Sequence, residues 1–425
     1  GTRLECVKAA GSLFGTLAAI GVQVMAGLAG AVVLGACASC ESTVRQLALP
    51  SLAATPIDAV ATDNASHRLY LADGAGRAVD VVDISTTTPE FVRTIGVGHA
   101  PLGLAVAPDL HRLYAGLSNG GVAVIDTEPS SPKFMQVVAT IAAATTVADL
   151  LDYSPARRQL LVTTATDGQV VVVNAVNNGV SAVYPIGVPL GQARFNSGDG
   201  KVYVTVPSAD AIYRIDPSSG KVTRKMVAKG CHPNGLAINP TRNLALVTCR
   251  GSVGLFDLET GGSTITRVVQ GGDIVTYDSA ADQFAVASPH DVHDSAIGVF
   301  AGDGTFIGSV PSSPYAHAAA FDTAHGLIYA VGASGLMTIA PGACLPPPNW
   351  LKFVGGLSFF VVPLLAAALF LLWYAKRPRD LSKRRSERSY HDLQQEDLAF
   401  ERERMRDFED SVLGPQVNPG MQPEP

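Results

Sequence analysis

The chain has 425 residues, of which 47% are hydrophobic and 16% are charged, with 42 glycines. This composition excludes a disordered chain, and it excludes a coiled coil, which needs far more Glu and Lys. The formal net charge of −6 provides no basic surface to neutralise phosphates, so we predict no nucleic-acid partner.

The first predicted element is an apolar stretch, Ala9–Ala36, which carries no charged residue. Its length exceeds that of the apolar region of a secretory signal and favours a retained transmembrane helix. Two other interpretations are open. Leu34–Cys37 resembles a bacterial lipobox, which would make Cys37 a lipidated residue, and the same region also suits ordinary signal peptidase. All three interpretations export the chain beyond this stretch, so we assign residues 1–38 to a transmembrane helix or to a signal or lipoprotein segment.

A short strand motif recurs seven times between residues 39 and 344, at intervals of 39 to 47 residues. Its copies begin at Arg68, Arg112, Gln159, Lys201, Leu244, Gln283 and Leu327. Apolar residues alternate with a period of two, which excludes leucine-rich and helical repeats. Several short strands in each repeat of this length predict an all-β, seven-bladed β-propeller over residues 39–344.

The ends of this repeat region predict how the ring closes. Six units carry a last strand, such as Phe91–Gly98, and the seventh lacks one. A strand of matching pattern, Val44–Pro50, precedes the first unit. We therefore predict that this N-terminal strand completes the last blade.

The closure would bring Cys40 beside Cys344, and we predict a disulfide between them, with Cys37 as the rival partner if it is not lipidated. Cys231 and Cys249 flank the first hairpin of the fifth unit and are the second candidate pair. Disulfides are typical of an oxidising compartment. Spacing alone leaves the pairing open.

Two units share a longer pattern, Gly-His-Ala-Pro-Leu-Gly-Leu-Ala-Val-Ala-Pro over Gly98–Pro108 and Gly-Cys-His-Pro-Asn-Gly-Leu-Ala-Ile-Asn-Pro over Gly230–Pro240. This pattern resembles the YVTN-type repeat of the YncE-like propeller family, and the resemblance covers residues 44–344. It implies the seven-bladed fold and an exported binding module. It implies no particular ligand, because a fold does not fix a function.

Loops that lead into the first strand of each unit share a face of a propeller with the turns between the second and third strands. This mapping places nine polar residues on one rim: Asp73, His99, His232, Arg250, His290, Asp291, His293, Asp294 and His317. The His290, His293 and His317 imidazoles could hold a transition metal. The alternative is that these residues only form and cap turns. No catalytic motif stands out, so we predict no catalytic residue and no cofactor.

A Pro-rich linker, residues 345–352, leads to a second apolar stretch, Phe353–Ala375, whose 23 residues carry no charge. That length crosses a hydrocarbon core of about 30 Å. Residues 376–388 hold seven basic and two acidic residues, which marks the cytoplasmic side. Residues 376–413 are therefore predicted as a cytoplasmic tail, first basic and then amphipathic and helical, and residues 414–425 as flexible.

These elements predict a protein of the bacterial cytoplasmic membrane, with the propeller in the periplasm or extracellular space and the tail in the cytoplasm. Our first hypothesis is a non-catalytic protein–protein interaction module, an accessory subunit of a respiratory, photosynthetic or transport complex. Its predicted partners are a membrane protein complex and the lipid bilayer. The alternative is a metal- or small-ligand-binding propeller enzyme that uses the His-rich rim loops.

Overall fold

The computed structural model describes residues 44–47, 57–288 and 295–340, together with residues 394–395, 398–399 and 402–404. Within the first three ranges, 28 strands form seven sheets of four antiparallel strands each. The prediction of a seven-bladed all-β ring is therefore confirmed. We call each sheet a blade and number the strands β1 to β28 in chain order.

The strands of each blade follow one another along the chain, except that β1 lies apart from the others of its blade. Strand β1 covers Val44–Leu47. Blade 1 holds β2 Val60–Asp63, β3 Arg68–Asp73, β4 Ala78–Asp83 and β5 Glu90–Gly96. Blade 2 holds β6 Pro101–Ala107, β7 Arg112–Leu117, β8 Gly121–Asp126 and β9 Val137–Ala142, and blade 3 holds β10 Leu151–Ser154, β11 Gln159–Thr164, β12 Gln169–Asn174 and β13 Gly179–Pro185. Blade 4 holds β14 Ala193–Asn196, β15 Lys201–Val206, β16 Ala211–Asp216 and β17 Lys221–Val227, and blade 5 holds β18 Leu236–Asn239, β19 Leu244–Cys249, β20 Ser252–Asp257 and β21 Ser263–Thr266. Blade 6 holds β22 Val275–Asp278, β23 Gln283–Ser288, β24 Ala296–Ala301 and β25 Phe306–Pro311. Blade 7 holds β26 Ala319–Asp322, β27 Leu327–Gly332 and β28 Gly335–Ile339, together with β1. Short 3₁₀ turns cover Pro108–Leu110 and Pro207–Ala209.

The ring closes through the N-terminal strand. β1 pairs antiparallel with β28, with Val44 opposite Ile339 and Leu47 opposite Leu336. The first strands of neighbouring blades contact each other around the axis, and β2 of blade 1 contacts β26 of blade 7. The prediction that this strand completes the last blade is confirmed.

The hydrophobic core lies between the blades. Seven clusters of buried apolar side chains fill the seven interfaces between neighbouring blades, including the one between blades 7 and 1. Both faces of the middle strands are covered, so these strands are apolar almost throughout. The repeated motif has its physical basis here, because its tyrosines are fully buried: Tyr70, Tyr114, Tyr203 and Tyr329.

The first strand of most blades ends in a buried residue whose side chain caps the following turn. Its oxygen accepts the backbone N–H two residues later, as between Asp63 and Ala65 at 3.0 Å and between Asp322 and Ala324 at 3.0 Å. Asp and Asn favour this conformation because their short side chains reach their own backbone. The same contact recurs at Asn196, Asn239 and Asp278.

Contacts divide the chain into two compact units, residues 1–346 and 347–425. In the second unit, residues 394–395, 398–399 and 402–404 are helical and exposed, and they belong to the predicted cytoplasmic tail. None of the helices that the structure describes is long and apolar enough to cross a membrane. Several predicted segments lie outside the described residues: 1–38, 345–352, 353–375 and 414–425.

Candidate functional site

The seven first strands surround a cavity of about 440 Å³ on the axis of the ring. Four aromatic side chains line it: Tyr153, Phe195, Tyr277 and Phe321. Its polar lining includes Arg194, whose Nη1 lies 2.8 Å from the Oδ1 of Asp152 and whose Nε donates to the carbonyl of Leu236. This volume lies in the range of small-molecule pockets.

Polar side chains cluster where the first strands begin. In five blades, the residue two positions before the first strand is polar: Asp58, Asp149, Asn234, Asp273 and His317. We call these five residues the mouth ring. Because they occupy the same position of the repeat, the propeller directs them toward one end of the axis. The other two blades have no polar side chain at this position. It is occupied by Gly191 in blade 4 and, from the β6–β7 register, by Leu102 in blade 2.

Hydrogen bonds join three members of the mouth ring. The Nδ1 of His317 lies 3.3 Å from the Oδ2 of Asp273, and the Asn234 amide donates to the other oxygen of the same carboxylate. The backbone N–H of Ile274 also donates to the His317 carbonyl. Blades 5, 6 and 7 are thereby joined at the mouth.

The carboxyl groups of the mouth ring affect each other's ionisation. Burial raises the pKa of Asp149 to about 6, and the negative charges of Asp273 and Asp58 add to this effect. Burial also raises the pKa of Asp58, with His317 opposing the rise. The hydrogen bond to Asp273 raises the pKa of His317 against the effect of burial. Three carboxyl groups from blades 1, 3 and 6 therefore concentrate negative charge around the axis.

We call the side of the ring that carries the mouth ring the mouth face. It comprises the loops that lead into the first strands and the turns between the second and third strands. The predicted rim residues that the structure describes lie on this face but differ in exposure. His99, His232 and Arg250 are exposed there, and Arg250 donates its backbone N–H to the Cys231 carbonyl at 2.7 Å. Asp73 is buried and caps its own turn by accepting the N–H of Gly76.

The predicted metal ligands are only partly within the described residues. His290, Asp291, His293 and Asp294 fall outside them, and His317 belongs to the mouth ring. Among the residues that the structure describes, no three or more His, Cys, Asp or Glu side chains are grouped to hold a metal ion. The metal site built on His290, His293 and His317 stays a prediction.

A disulfide joins Cys231 to Cys249, with a Cα–Cα distance of 4.6 Å. It ties the loop that carries His232 and Asn234 to the end of β19, next to Arg250. This part of the disulfide prediction is confirmed. Cys37, Cys40 and Cys344 lie outside the described residues, so the other bridge and the lipidation of Cys37 stay predictions.

Removing this bridge is expected to destabilise the propeller. The bonded cysteines are 18 residues apart. A disulfide that closes a loop of about that size stabilises the folded state by about 3 kcal/mol, because it restricts the unfolded chain. We expect the free energy of unfolding of the Cys231→Ala, Cys249→Ala double variant to be lower by about this amount, and its urea midpoint to be lower accordingly. Reductant should lower the midpoint of the unchanged protein more than that of the double variant, which can lose only the predicted Cys40–Cys344 bridge. Equal midpoints of the two oxidised proteins would rule out a stabilising role.

Comparison with known proteins identifies the fold and nothing narrower. None of the protein-family models matches the chain, and no curated protein matches it. Of the solved structures, 1725 chains match, so the fold is common and does not by itself decide the function. One is a chain in the crystal structure of a mitotic checkpoint complex, 12% identical, with a TM-score of 0.56 over 70% of this chain and 92% of that one. The protein is a β-propeller with a polar axial mouth.

Proposed function

We propose that this protein is a non-catalytic interaction module whose mouth face binds another protein of a membrane complex. The propeller is held outside a bacterial cytoplasmic membrane by Phe353–Ala375 and, if retained, by the N-terminal apolar segment. The tail beyond residue 376 then lies in the cytoplasm. The partner is a subunit of a respiratory, photosynthetic or transport assembly.

The observation that carries this proposal is the structure of the mouth face. It presents exposed His232 and Arg250 on loops that a disulfide and a closed ring hold rigid. Rigid scaffolds that display polar loops are the usual form of a recognition surface. Arginine is also enriched among the residues that dominate protein interfaces.

Two histidines of this face, His232 and His317, have partners that suit a structural role. His317 contacts the Asp273 carboxylate, and the Nδ1 of His232 lies 3.2 Å from the Pro207 carbonyl. Neither contact pairs an imidazole with a hydroxyl or thiol nucleophile, the arrangement on which covalent catalysis depends. This supports binding over nucleophilic catalysis.

We also propose that the chain is a member of the YncE-like family. The segment that carries the resemblance, Gly98–Pro108, forms the loop into blade 2 and the whole of β6. In blade 5 the equivalent pattern, Gly230–Pro240, contains Cys231 of the disulfide and β18. The pattern thus corresponds to one structural unit, the entry into a first strand.

Purification in mild detergent from membranes of the source cell tests the proposed partner. We expect the chain to migrate in an assembly larger than its own 44.1 kDa. The Arg250→Glu variant should reduce this recovery at least tenfold. Glu259→Arg is the matched control, because Glu259 is exposed on the same blade but follows β20 on the opposite face. Recovery of only the free monomer from unchanged membranes would contradict the proposal.

A further inference from the structure

Blades 7 and 1 meet on the face opposite the mouth through a hydrogen-bonded seam. It comprises the turn 64–67 of blade 1 and the turn 323–326 of blade 7. The Asn64 amide donates to the Phe321 carbonyl at 3.3 Å, and its Oδ1 accepts the N–H of Thr323 at 3.1 Å. Thr62 adds a bond to the same carbonyl at 2.8 Å. These contacts hold the two turns in fixed relation.

One histidine from each turn faces the other across this seam. The ring centroids of His67 and His325 lie 6.4 Å apart, and the rings are tilted by 53°. The backbone of His67 is held by the N–H of Ile84, which donates to its carbonyl at 3.0 Å. The backbone of His325 is held by its N–H, which donates to Asp322 at 3.2 Å. Both imidazoles therefore start from fixed positions.

A buried carboxylate orients the imidazole of His325. Its Nδ1 lies 2.8 Å from the Oδ2 of Asp322, whose side chain is fully buried. A carboxylate accepts this bond, so in the neutral imidazole Nδ1 carries the proton and Nε2 presents its lone pair. Metal-binding histidines commonly have this arrangement, because the carboxylate orients the ring and makes the other nitrogen more basic.

His67 has a nitrogen that lacks a partner. Its Nδ1 is buried and makes no hydrogen bond within the described residues. A buried polar atom without a partner is costly, and an ordered water or an ion is the usual reason for it. This orphaned nitrogen beside a histidine oriented by a carboxylate points to a ligand that bridges the two rings.

We propose that the seam binds one first-row transition-metal dication, such as Zn²⁺, Ni²⁺ or Cu²⁺, between His67 and His325. Two metal–nitrogen bonds of about 2.1 Å and the radii of the two rings reach the observed centroid distance of 6.4 Å when the nitrogens lie on opposite sides of the ion, as in square-planar or octahedral coordination; a tetrahedral ion needs the rings about 1 Å closer. Imidazole suits these metals, and water completes the coordination. The ion adds a bridge between the first and last blades. This site lies on the face opposite the predicted His290, His293 and His317 site and is independent of it.

Calorimetric titration of the chelator-treated full chain in detergent tests this site with Zn²⁺, Ni²⁺ and Cu²⁺. We expect each of His67→Asn and His325→Asn to weaken one binding event at least tenfold. His111→Asn is the matched control, because His111 occupies the same turn position in blade 2, with φ of 48° against 53° at His67. Asn tolerates this left-handed conformation, so neither substitution strains the turn. Blade 1 has Ser66 at the position that His325 occupies in blade 7, so no equivalent histidine lies across the blade boundary from His111.

Two measurements on the unchanged protein accompany the variants. The electron paramagnetic resonance spectrum of bound Cu²⁺ should show coupling to two imidazole nitrogens, and Zn²⁺ should raise the thermal midpoint. The Zn²⁺ shift should vanish in His325→Asn and persist in His111→Asn. The proposal is wrong if no metal binds below about 100 µM, or if both seam variants bind as tightly as the unchanged protein. Equal weakening by His111→Asn would also overturn it.

Discussion

A chain that lacks residues 1–47 is expected to be about 4 kcal/mol less stable than a chain that lacks only residues 1–43, and both lack Cys40, so the predicted Cys40–Cys344 bridge does not enter the comparison. The difference is β1, the outer strand of blade 7. Leu47 is partly buried against the core between blades 7 and 1, and so contributes part of the roughly 1.5–3 kcal/mol that full burial of a leucine provides. The pairing of four residues with β28 adds backbone hydrogen bonds worth about 1 kcal/mol each.

Urea unfolding of the two truncated chains measures this effect. A synthetic peptide of residues 41–50 should restore stability to the shorter chain, and a scrambled peptide should not. Equal stability of the two chains would show that β1 does not hold the ring closed. The unpaired edge of β28 should also make the shorter chain prone to association.

The Asp149→Asn variant is expected to be more stable than the unchanged protein at pH 7, by about 3 kcal/mol, and equally stable at pH 4. Burial and the Asp273 and Asp58 charges raise the pKa of Asp149 from 3.8 to about 6. The folded protein therefore keeps a proton that the unfolded chain has lost between these values. Stability falls as pH rises through this window and levels off above it, because the folded state must then hold the buried charge. An asparagine removes this dependence.

Chemical unfolding of both proteins from pH 4 to pH 8 checks the expected difference. Asp167→Asn is the control, since Asp167 lies in the same blade and bonds to Thr145 at an exposed site. Its stability should differ from that of the unchanged protein at pH 7 by much less than that of Asp149→Asn. A constant difference for Asp149→Asn would mean that the mouth ring exerts no electrostatic strain.

The ring architecture was predictable because a blade cannot bury both faces alone, so each blade repeats the same apolar pattern. Tyr70, Tyr114 and Tyr203 show this, since each fills the same position between two blades. The closing strand was also predictable, because a blade that lacks its outer strand needs one from elsewhere. The Cys231–Cys249 pair was predictable because the two residues flank one hairpin.

Of the mouth ring only His317 was predicted, as a rim residue, and the other four members were missed because they share a position and not a chemical type. Asp58, Asn234 and His317 form no motif, and only the sheet register shows that they are equivalent. An alignment of the seven units on their first strands would have found them. Asp73 was assigned to the open rim because it ends a strand before a turn, yet its carboxylate turns back to cap that turn.

The histidine pair at the seam was beyond the reach of sequence reasoning. His67 and His325 belong to opposite ends of the propeller, and closure of the ring brings their turns together. Serine occupies the position of His325 in blade 1, where Ser66 bonds to Asp63 in the way that His325 bonds to Asp322. The two turns therefore share their geometry and differ in the residue that bonds the aspartate, Ser66 in blade 1 and His325 in blade 7.

Site-directed photo-cross-linking in membranes of the source cell tests whether the mouth face binds another protein of a membrane complex. A photoreactive residue is placed at His99 or Arg250 on the mouth face, and at Glu259 on the opposite face as the reference. We expect the mouth positions to capture one defined protein of a membrane complex and position 259 to capture none. Capture of nothing from the mouth face, or of the same proteins from both faces, would contradict it.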